Sequence, residues 1–206
     1  MNPYYSEAEI VIYNADCQEI LPEIQAGIVI TDPPYGIRAN SHRTGLQFEI
    51  AGDDGSMDSV IAGLRSRWPC IVFASPQCPF AGEWELFLVW DKGPGVGGNG
   101  AINLWKRSWE LIQVDLKGRG VVGPRDVSVL QYWVGPWRRR GFENQIHPAE
   151  KPEALMRYLI GKAARSDETI LDPFLGSGTT LAAAKSLGRR AIGIEIEERY
   201  CEIAAK

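Results

Sequence analysis

A continuous apolar run with no polar face limits the folds open to this chain. Residues 27–31 read GIVIT, and a strand with this sequence has to be buried on both of its sides. Such strands occur in parallel sheets whose two faces are covered by helices. Pro33 and Pro34 follow closely and cannot continue a central strand, so the strand is expected to end at Asp32.

Short β-rich runs alternate with helical patterns along much of the chain, which predicts an α/β fold with a doubly wound, mostly parallel sheet. Residues 37–55 and 93–100 have loop composition, and 101–146 show only weak periodicity. The predicted strands are 9–13, 27–31, 70–74, 86–90, 169–171 and 191–194; the predicted helices are 17–25, 57–68, 179–187, 197–204 and one that starts at Pro152.

Length and composition favour one domain, residues 1–206, with a genuine core, since 45% of the 206 residues are hydrophobic. The net charge of −4 gives no sign of nucleic-acid binding, but residues 106–140 carry a local charge of +5 that could meet phosphate or simply face solvent. The four cysteines are scattered, so neither a disulfide framework nor a metal site is expected. With no signal peptide or membrane span visible, a reduced cytoplasmic setting is expected.

The strongest local signal is a strand, the turn Asp172–Gly178 (DPFLGSG), a helix, and a further strand that ends at Glu195. Glycines allow a ligand close to the turn, and the free N–H groups of a helix start favour negative charge. An acid about 20 residues further on can accept hydrogen bonds from both hydroxyls of a ribose. This order favours an adenosine-bearing ligand; the structural alternative is an ordinary tight turn with a surface glutamate. No lysine follows Gly178, which argues against a phosphate-binding P-loop.

The segment Asp32-Pro33-Pro34-Tyr35 supplies a second signal at the end of the buried strand. Its prolines lack N–H donors and fix the backbone, so the Pro33 carbonyl and the Asp32 carboxylate stand together as acceptors. Tyr35 adds a flat aromatic face. Two acceptors and a stacking surface suit a planar ring that carries an amino group, although a stiff Pro-Pro turn with a capping Asp is the structural alternative.

Together these segments resemble the amino-methyltransferases that act on DNA, and specifically their permuted β-type group. In that group the DPPY motif precedes the FxGSG motif, as Asp32–Tyr35 precedes Phe174–Gly178 here, with His147–Pro152 just upstream of the second motif. Asn14–Cys17 and Trp90–Lys92 also look like segments of that family. The resemblance implies a Rossmann-like methyltransferase fold with a circularly permuted motif order.

The resemblance also implies roles for individual residues around S-adenosylmethionine and a flipped target base. Asp32, Pro33, Pro34 and Tyr35 would hold the base, and Glu195 would hold the ribose. Asp16 and Cys17 would border the cofactor adenine, and Lys151 and Thr179 its methionine carboxylate. Asp172, Phe174, Gly176, Ser177 and Gly178 would line the rest of the cofactor.

The implied activity is methyl transfer to the N6 amino group of adenine in DNA, as in restriction–modification systems, with no metal. N4-cytosine methylation is the alternative enzyme activity, and an inactive cofactor-binding DNA-binding or regulatory protein is an alternative of another class. The family's target-recognition region would fall within 91–146 and is small here. A homodimer would enlarge the DNA surface.

Overall fold

The apolar run identified in the sequence lies at the centre of a mostly parallel sheet. All four residues of strand Ile28–Thr31 are buried. The strand pairs in parallel with Ile170–Asp172 on one side and with Cys70–Ala74 on the other. This computed structural model describes residues 2–34, 57–93, 108–133 and 151–206.

The described residues form nine strands, five α-helices and one 3-10 turn, Leu21–Glu23. None of these helices combines the length and the apolar character needed to cross a bilayer. The strands are β1 (Tyr5–Glu7), β2 (Ile10–Asn14), β3 (Ile28–Thr31), β4 (Cys70–Ala74), β5 (Leu86–Asp91), β6 (Trp109–Asp115), β7 (Val129–Gln131), β8 (Ile170–Asp172) and β9 (Ala191–Glu195). The helices are α1 (Cys17–Ile20), α2 (Met57–Arg67), α3 (Glu153–Ala163), α4 (Thr179–Ser186) and α5 (Glu198–Ala204).

The strands of the described sheet lie in the order β1-β2-β9-β8-β3-β4-β6-β5-β7. The five strands from β2 to β4 in this order are parallel, whereas β1 and β6 run antiparallel to their neighbours β2 and β4. The chain moves from β3 to β4 in one direction along the sheet and from β8 to β9 in the other. The boundary between β3 and β8 is therefore the switch point at which doubly wound sheets bind ligands.

Helices cover both faces of the sheet, which explains why β3 has no polar side. Ile28 and Ile30 lie in one core together with Leu159 of α3. Val29 points to the opposite face and lies in a second core together with Ile61 of α2. Successive side chains of a strand alternate between faces, so an all-apolar strand has to be covered twice. The doubly wound α/β fold predicted from the sequence is confirmed.

Three strands were not predicted from the sequence: β1, β6 and β7. In β6 the run WELIQVD places Gln113 between buried apolar residues, and this polar residue hides the strand pattern. Gln113 is itself buried, and its amide exchanges hydrogen bonds with the backbone of Phe80 at 2.8 and 3.0 Å. Part of the region 91–146, in which the resemblance places target recognition, therefore lies in the sheet, while 94–107 and 134–146 lie outside the described residues.

Gly178 marks the start of α4 and has a left-handed backbone with φ of +89°. A Cβ at this position would lie 2.6 Å from the Cβ of Ala204 and 3.0 Å from its Cα, at the end of α5. The absence of a side chain therefore allows two helices to meet beside the predicted cofactor turn.

We expect Gly178→Ala to lower the free energy of unfolding by about 2 kcal/mol or more, because it combines left-handed strain with a clash against backbone. Gly161→Ala is the matched control, since Gly161 lies within α3 with nothing within 4 Å of its would-be Cβ. That change should stabilise the protein by up to about 1 kcal/mol. Urea unfolding of both variants checks this, and equal effects would contradict the packing described for Gly178.

Candidate active site

Four carboxylates line one edge of the sheet, where neighbouring parallel strands end. Asp16 follows β2, Glu195 ends β9, Asp172 ends β8 and Asp32 follows β3. These strands are adjacent in that order. The predicted base-binding segment and the predicted cofactor turn thus start from neighbouring strands on either side of the switch point.

A buried hydrogen-bond network on Asp172 joins the two segments. Thr31 Oγ1 donates to Asp172 Oδ1 at 2.6 Å, and Thr180 Oγ1 donates to Oδ2 at 2.6 Å. The backbone N–H of Phe174 also donates to Oδ1, at 3.2 Å. One carboxylate thereby connects the end of β3, the turn after β8 and the first turn of α4.

The buried position of Asp172 disfavours its charged form. Burial raises the pKa of Asp172 to about 6, although the hydrogen bonds from Thr180 and Thr31 act in the opposite direction. The nearby charge of Asp32 raises this pKa further.

Glu195 holds the predicted cofactor turn through its carboxylate. Its Oε2 accepts from the N–H of Gly176 at 2.8 Å, and its Oε1 accepts from the N–H of Glu197 at 2.8 Å. Burial raises the pKa of Glu195. A carboxylate offers about four acceptor positions, so these two bonds leave capacity for hydroxyl donors such as a ribose.

The turn itself alternates between accessible and buried residues. Phe174, Gly176, Ser177 and Thr179 are half-buried, whereas Gly178 is buried against α5. The buried Thr180, which the sequence did not single out, carries the hydroxyl that binds Asp172. Its signal was available in the sequence, because a Thr in the first turn of a helix can reach back to an acid that precedes the helix.

Asp16 and Cys17 lie at the start of α1. The Asp16 side chain caps the helix by accepting from the N–H of Gln18 at 2.9 Å. Cys17 is buried, and burial followed by the charge of Asp16 raises the pKa of its thiol to about 12. This thiol therefore stays protonated at neutral pH and is a poor nucleophile.

Lys151 lies at the base-binding segment. Its ammonium forms an ion pair with Asp32 Oδ2, and it lies 3.4 Å from Glu110 Oε2. Pro33 is buried beside Asp32 and Pro34 is half-buried. The contact of Lys151 with a cofactor carboxylate, which the resemblance implies, stays a prediction.

Glu110 is a site residue that the sequence did not reveal. It lies on β6, in the region of weak periodicity, and its Oε1 also accepts from the ammonium of Lys92. The segment Trp90–Lys92 was noted only as family-like. An isolated acid in a strand that pairs only through folding leaves no local signal.

Several predicted features lie outside the described residues. These are Tyr35, most of the glycine-rich segment (94–100), the basic residues 106, 107 and 138–140, and the segment 147–150. The stacking role of Tyr35 stays a prediction.

The titration of Asp172 gives a testable pH dependence. Its folded pKa of about 6 exceeds the ordinary 3.8, so the stability it contributes is present below about pH 4 and is lost as the pH rises through about 6. Asp172→Asn removes this titration. Between pH 4 and 7 the free energy of unfolding of the wild type should therefore fall by on the order of 2–3 kcal/mol relative to that of the variant. Denaturant unfolding across that range measures the difference.

Asp126→Asn provides a control of opposite sign. The Val127 N–H lowers the pKa of Asp126, so the wild type should gain stability over that variant as the pH rises. A flat difference between wild type and Asp172→Asn would contradict the raised pKa of Asp172.

The geometry described above agrees with comparisons to known proteins. The chain is 27% identical over 250 residues to the type II methyltransferase M.ScaI of Streptomyces caespitosus, with 98% of this chain and 82% of that protein covered. Among solved structures, the M1.HpyAVI complex with SAM has a TM-score of 0.65 at 26% identity, covering 95% of this chain and 97% of that one.

The PvuII DNA methyltransferase, described as cytosine-N4-specific, has a TM-score of 0.71 at 15% identity, which shows the fold alone. The structural match covers 98% of this chain and 87% of that enzyme's chain. These neighbours confirm the Rossmann-like methyltransferase fold, whereas circular permutation stays a prediction. The sequence pattern of the DNA methylase family, of the N6/N4 type, matches residues 73–206, more than half of the chain, and the chain belongs to that family.

Proposed function

We propose that this protein transfers a methyl group from S-adenosylmethionine to the N6 amino group of adenine in DNA. The observation that carries the proposal is the hydrogen bond from Thr31 to Asp172 at 2.6 Å. It joins the strand that presents Asp32 to the turn that presents Gly176. A base held by the first segment and a cofactor held by the second would then meet at one point.

The residues of the turn suit S-adenosylmethionine by their chemistry. Glu195 has acceptor capacity for ribose hydroxyls, and its bond to Gly176 fixes the turn in the shape that a ligand would meet. Gly176 has a φ of +55°, and glycine exposes its backbone to close approach. Asp16 lies at the same edge of the sheet, two strands from Asp172. The M1.HpyAVI neighbour was solved with SAM, which supports the same cofactor here.

Asp32 and the Pro33 carbonyl would act on the amino group of the target base. That nitrogen is a weak nucleophile, because its lone pair is delocalised into the ring. Hydrogen bonds to the Asp32 carboxylate and the Pro33 carbonyl favour a pyramidal nitrogen and so localise the lone pair. The cofactor supplies an electrophilic sulfonium methyl group.

Positioning then accounts for much of the rate. Good alignment of two reactants is worth about 7–11 kcal/mol, and no covalent intermediate is needed. Two of the buried cysteines fit this reaction, since burial raises the pKa of both Cys17 and Cys70 to about 12. Neither thiol is activated for attack on a base.

The DNA substrate sets further expectations. The target base has to leave the duplex to reach Asp32, and stacking on Tyr35 would offset part of that cost. Residues 94–107 and 134–146 are the candidates for target recognition, and a homodimer would extend the DNA surface. A cytoplasmic modification methylase of a restriction system fits this activity, as the type II relative M.ScaI suggests.

Product analysis tests the proposal directly. The purified protein is incubated with duplex DNA and S-adenosylmethionine, and the DNA is digested to nucleosides for mass spectrometry. The expected product is N6-methyl-2′-deoxyadenosine. N4-methylcytosine would establish the alternative base, and no methylated base would contradict the proposal.

We expect Asp32→Ala to reduce transfer by at least about 100-fold, because an acceptor for the amino group is lost. Binding of S-adenosylhomocysteine, measured by calorimetry, should survive. Glu195→Gln is the matched contrast, since it should weaken that binding through loss of a carboxylate at the turn. Transfer by Asp32→Ala at the wild-type rate would remove Asp32 from the reaction.

A further inference from the structure

Four side chains of alternating charge form a row of ion pairs that ends at Asp32. Lys151 pairs with Asp32 Oδ2 and lies 3.4 Å from Glu110 Oε2, and Lys92 pairs with Glu110 Oε1. The side chains of Lys151 and Glu110 are only 7% and 16% exposed. Water screens such charges weakly, so each one strongly affects the position of the next.

Rigid elements hold this row of ion pairs in place. Glu110 lies on β6 directly opposite Trp90 of β5, and Lys92 follows β5. The ammonium of Lys151 lies 5.0 Å from the ring centroid of Phe73 and 6.0 Å from that of Trp90. These two rings meet edge to face at 6.3 Å, so the ammonium lies on a fixed aromatic pair.

Lys151 keeps its charge in this buried position. Burial alone would lower its pKa, but the carboxylates of Asp32 and Glu110 outweigh that effect and raise the pKa above its ordinary value. The same burial would raise the pKa of Glu110, and the ammonium groups of Lys151 and Lys92 reverse the effect. Both groups are therefore ionised at neutral pH.

Among the described residues, the carboxylate of Glu110 contacts two lysines. Within the part of the chain that the structure describes, its polar contacts are Lys92 and Lys151, and it caps no backbone group. A buried carboxylate is costly, and a pair of this kind is a weak source of stability compared with apolar packing. Stability alone therefore does not explain this carboxylate, and its contacts point to control of the lysine that pairs with Asp32.

We infer that Glu110 is a positioning residue for methyl transfer: it shares Lys151 with Asp32 and so sets how strongly Asp32 can accept from the target amino group. The inference rests on the proposed function. With Glu110 present, Asp32, Lys151, Glu110 and Lys92 sum to zero charge. Without its charge, the set carries a net charge of +1. The ammonium of Lys151 is then held by Asp32 alone, where it competes with the amino hydrogens of the base.

Glu110→Gln tests this role, because it keeps the shape of the side chain and removes only its charge. The single-turnover rate of methyl transfer at saturating DNA and cofactor should fall about tenfold or more, since small displacements at a reacting group are costly. The Kd of S-adenosylhomocysteine is measured separately, because the resemblance places Lys151, the partner of Glu110, at the cofactor carboxylate, and the rate at saturating cofactor isolates the effect on transfer.

Glu168→Gln is the matched control for the loss of a buried ion pair. Arg119 and Glu168 are 13% and 15% exposed, and Glu168 precedes β8, at the end of that strand opposite to Asp172. This variant should lose stability without losing the transfer rate. An equal loss of rate in Glu168→Gln and Glu110→Gln would overturn the inference, because it would reduce Glu110 to a general stabilising role.

Charge balance supplies a readout that a structural role would not move. Adding Lys92→Met to Glu110→Gln restores a neutral set, so the double variant should recover a large part of the lost rate. A double variant no faster than Glu110→Gln would overturn the inference. If Glu110→Gln fails to fold, Glu110→Asp replaces it, since the shorter side chain should also slow transfer by drawing away from Lys151.

The two proposals can fail separately. If the wild type methylates no DNA base, the proposed function fails. If the wild type methylates adenine and Glu110→Gln does so at the same rate, only the role of Glu110 fails.

Discussion

The hydrogen bonds on the buried carboxylate of Asp172 are the constraint on which the rest of the site depends. Thr31, at the end of β3, and Thr180, in α4, donate hydrogen bonds to its two oxygens. Strand pairing alone brings β3 and β8 side by side, but it leaves the segments beyond them free to diverge. The carboxylate fixes the point from which both segments depart, and so fixes the relation between Asp32 and the turn that follows β8.

Around this point four acidic residues lie at one edge of the sheet, and the contacts of each acid differ. Glu195 accepts from backbone N–H groups, Asp16 caps a helix and Asp32 pairs with Lys151. Asp172 is buried, and burial raises its pKa. The acids thus differ in role because their surroundings differ, although all of them follow or end neighbouring parallel strands.

Much of the fold could be predicted because its signals are local. Three features can be recognised from a few neighbouring residues: the apolar run 27–31, the glycine turn before α4 and the acid at the end of β9. Gly188 likewise closes α4 with a left-handed φ of +62°, as expected of a helix cap. Local patterns favoured an adenosine-bearing ligand and a planar ring with an amino group, and the family resemblance specified S-adenosylmethionine and a DNA base.

The parts that could not be predicted depend on contacts between distant residues. β6 was not predicted because Gln113 interrupts its apolar pattern, and the amide of Gln113 hydrogen-bonds to the backbone of Phe80, 33 positions away. The pairing of Lys151 with Asp32 spans 119 positions, and Glu110 joins them from a third segment. Such polar contacts have no periodicity, so only the folded chain reveals them.

In the proposed reaction the base and the cofactor would occupy one shared cavity. A bisubstrate ligand, in which the N6 nitrogen of adenosine is joined by a short linker to the sulfonium-equivalent position of an S-adenosylmethionine analogue, measures this directly. By calorimetry it should bind on the order of 100-fold or more tightly than S-adenosylhomocysteine, because the second binding event becomes intramolecular. Asp32→Ala should remove most of that gain. Affinity no better than that of S-adenosylhomocysteine would contradict a common site for Asp32 and the turn at Gly176.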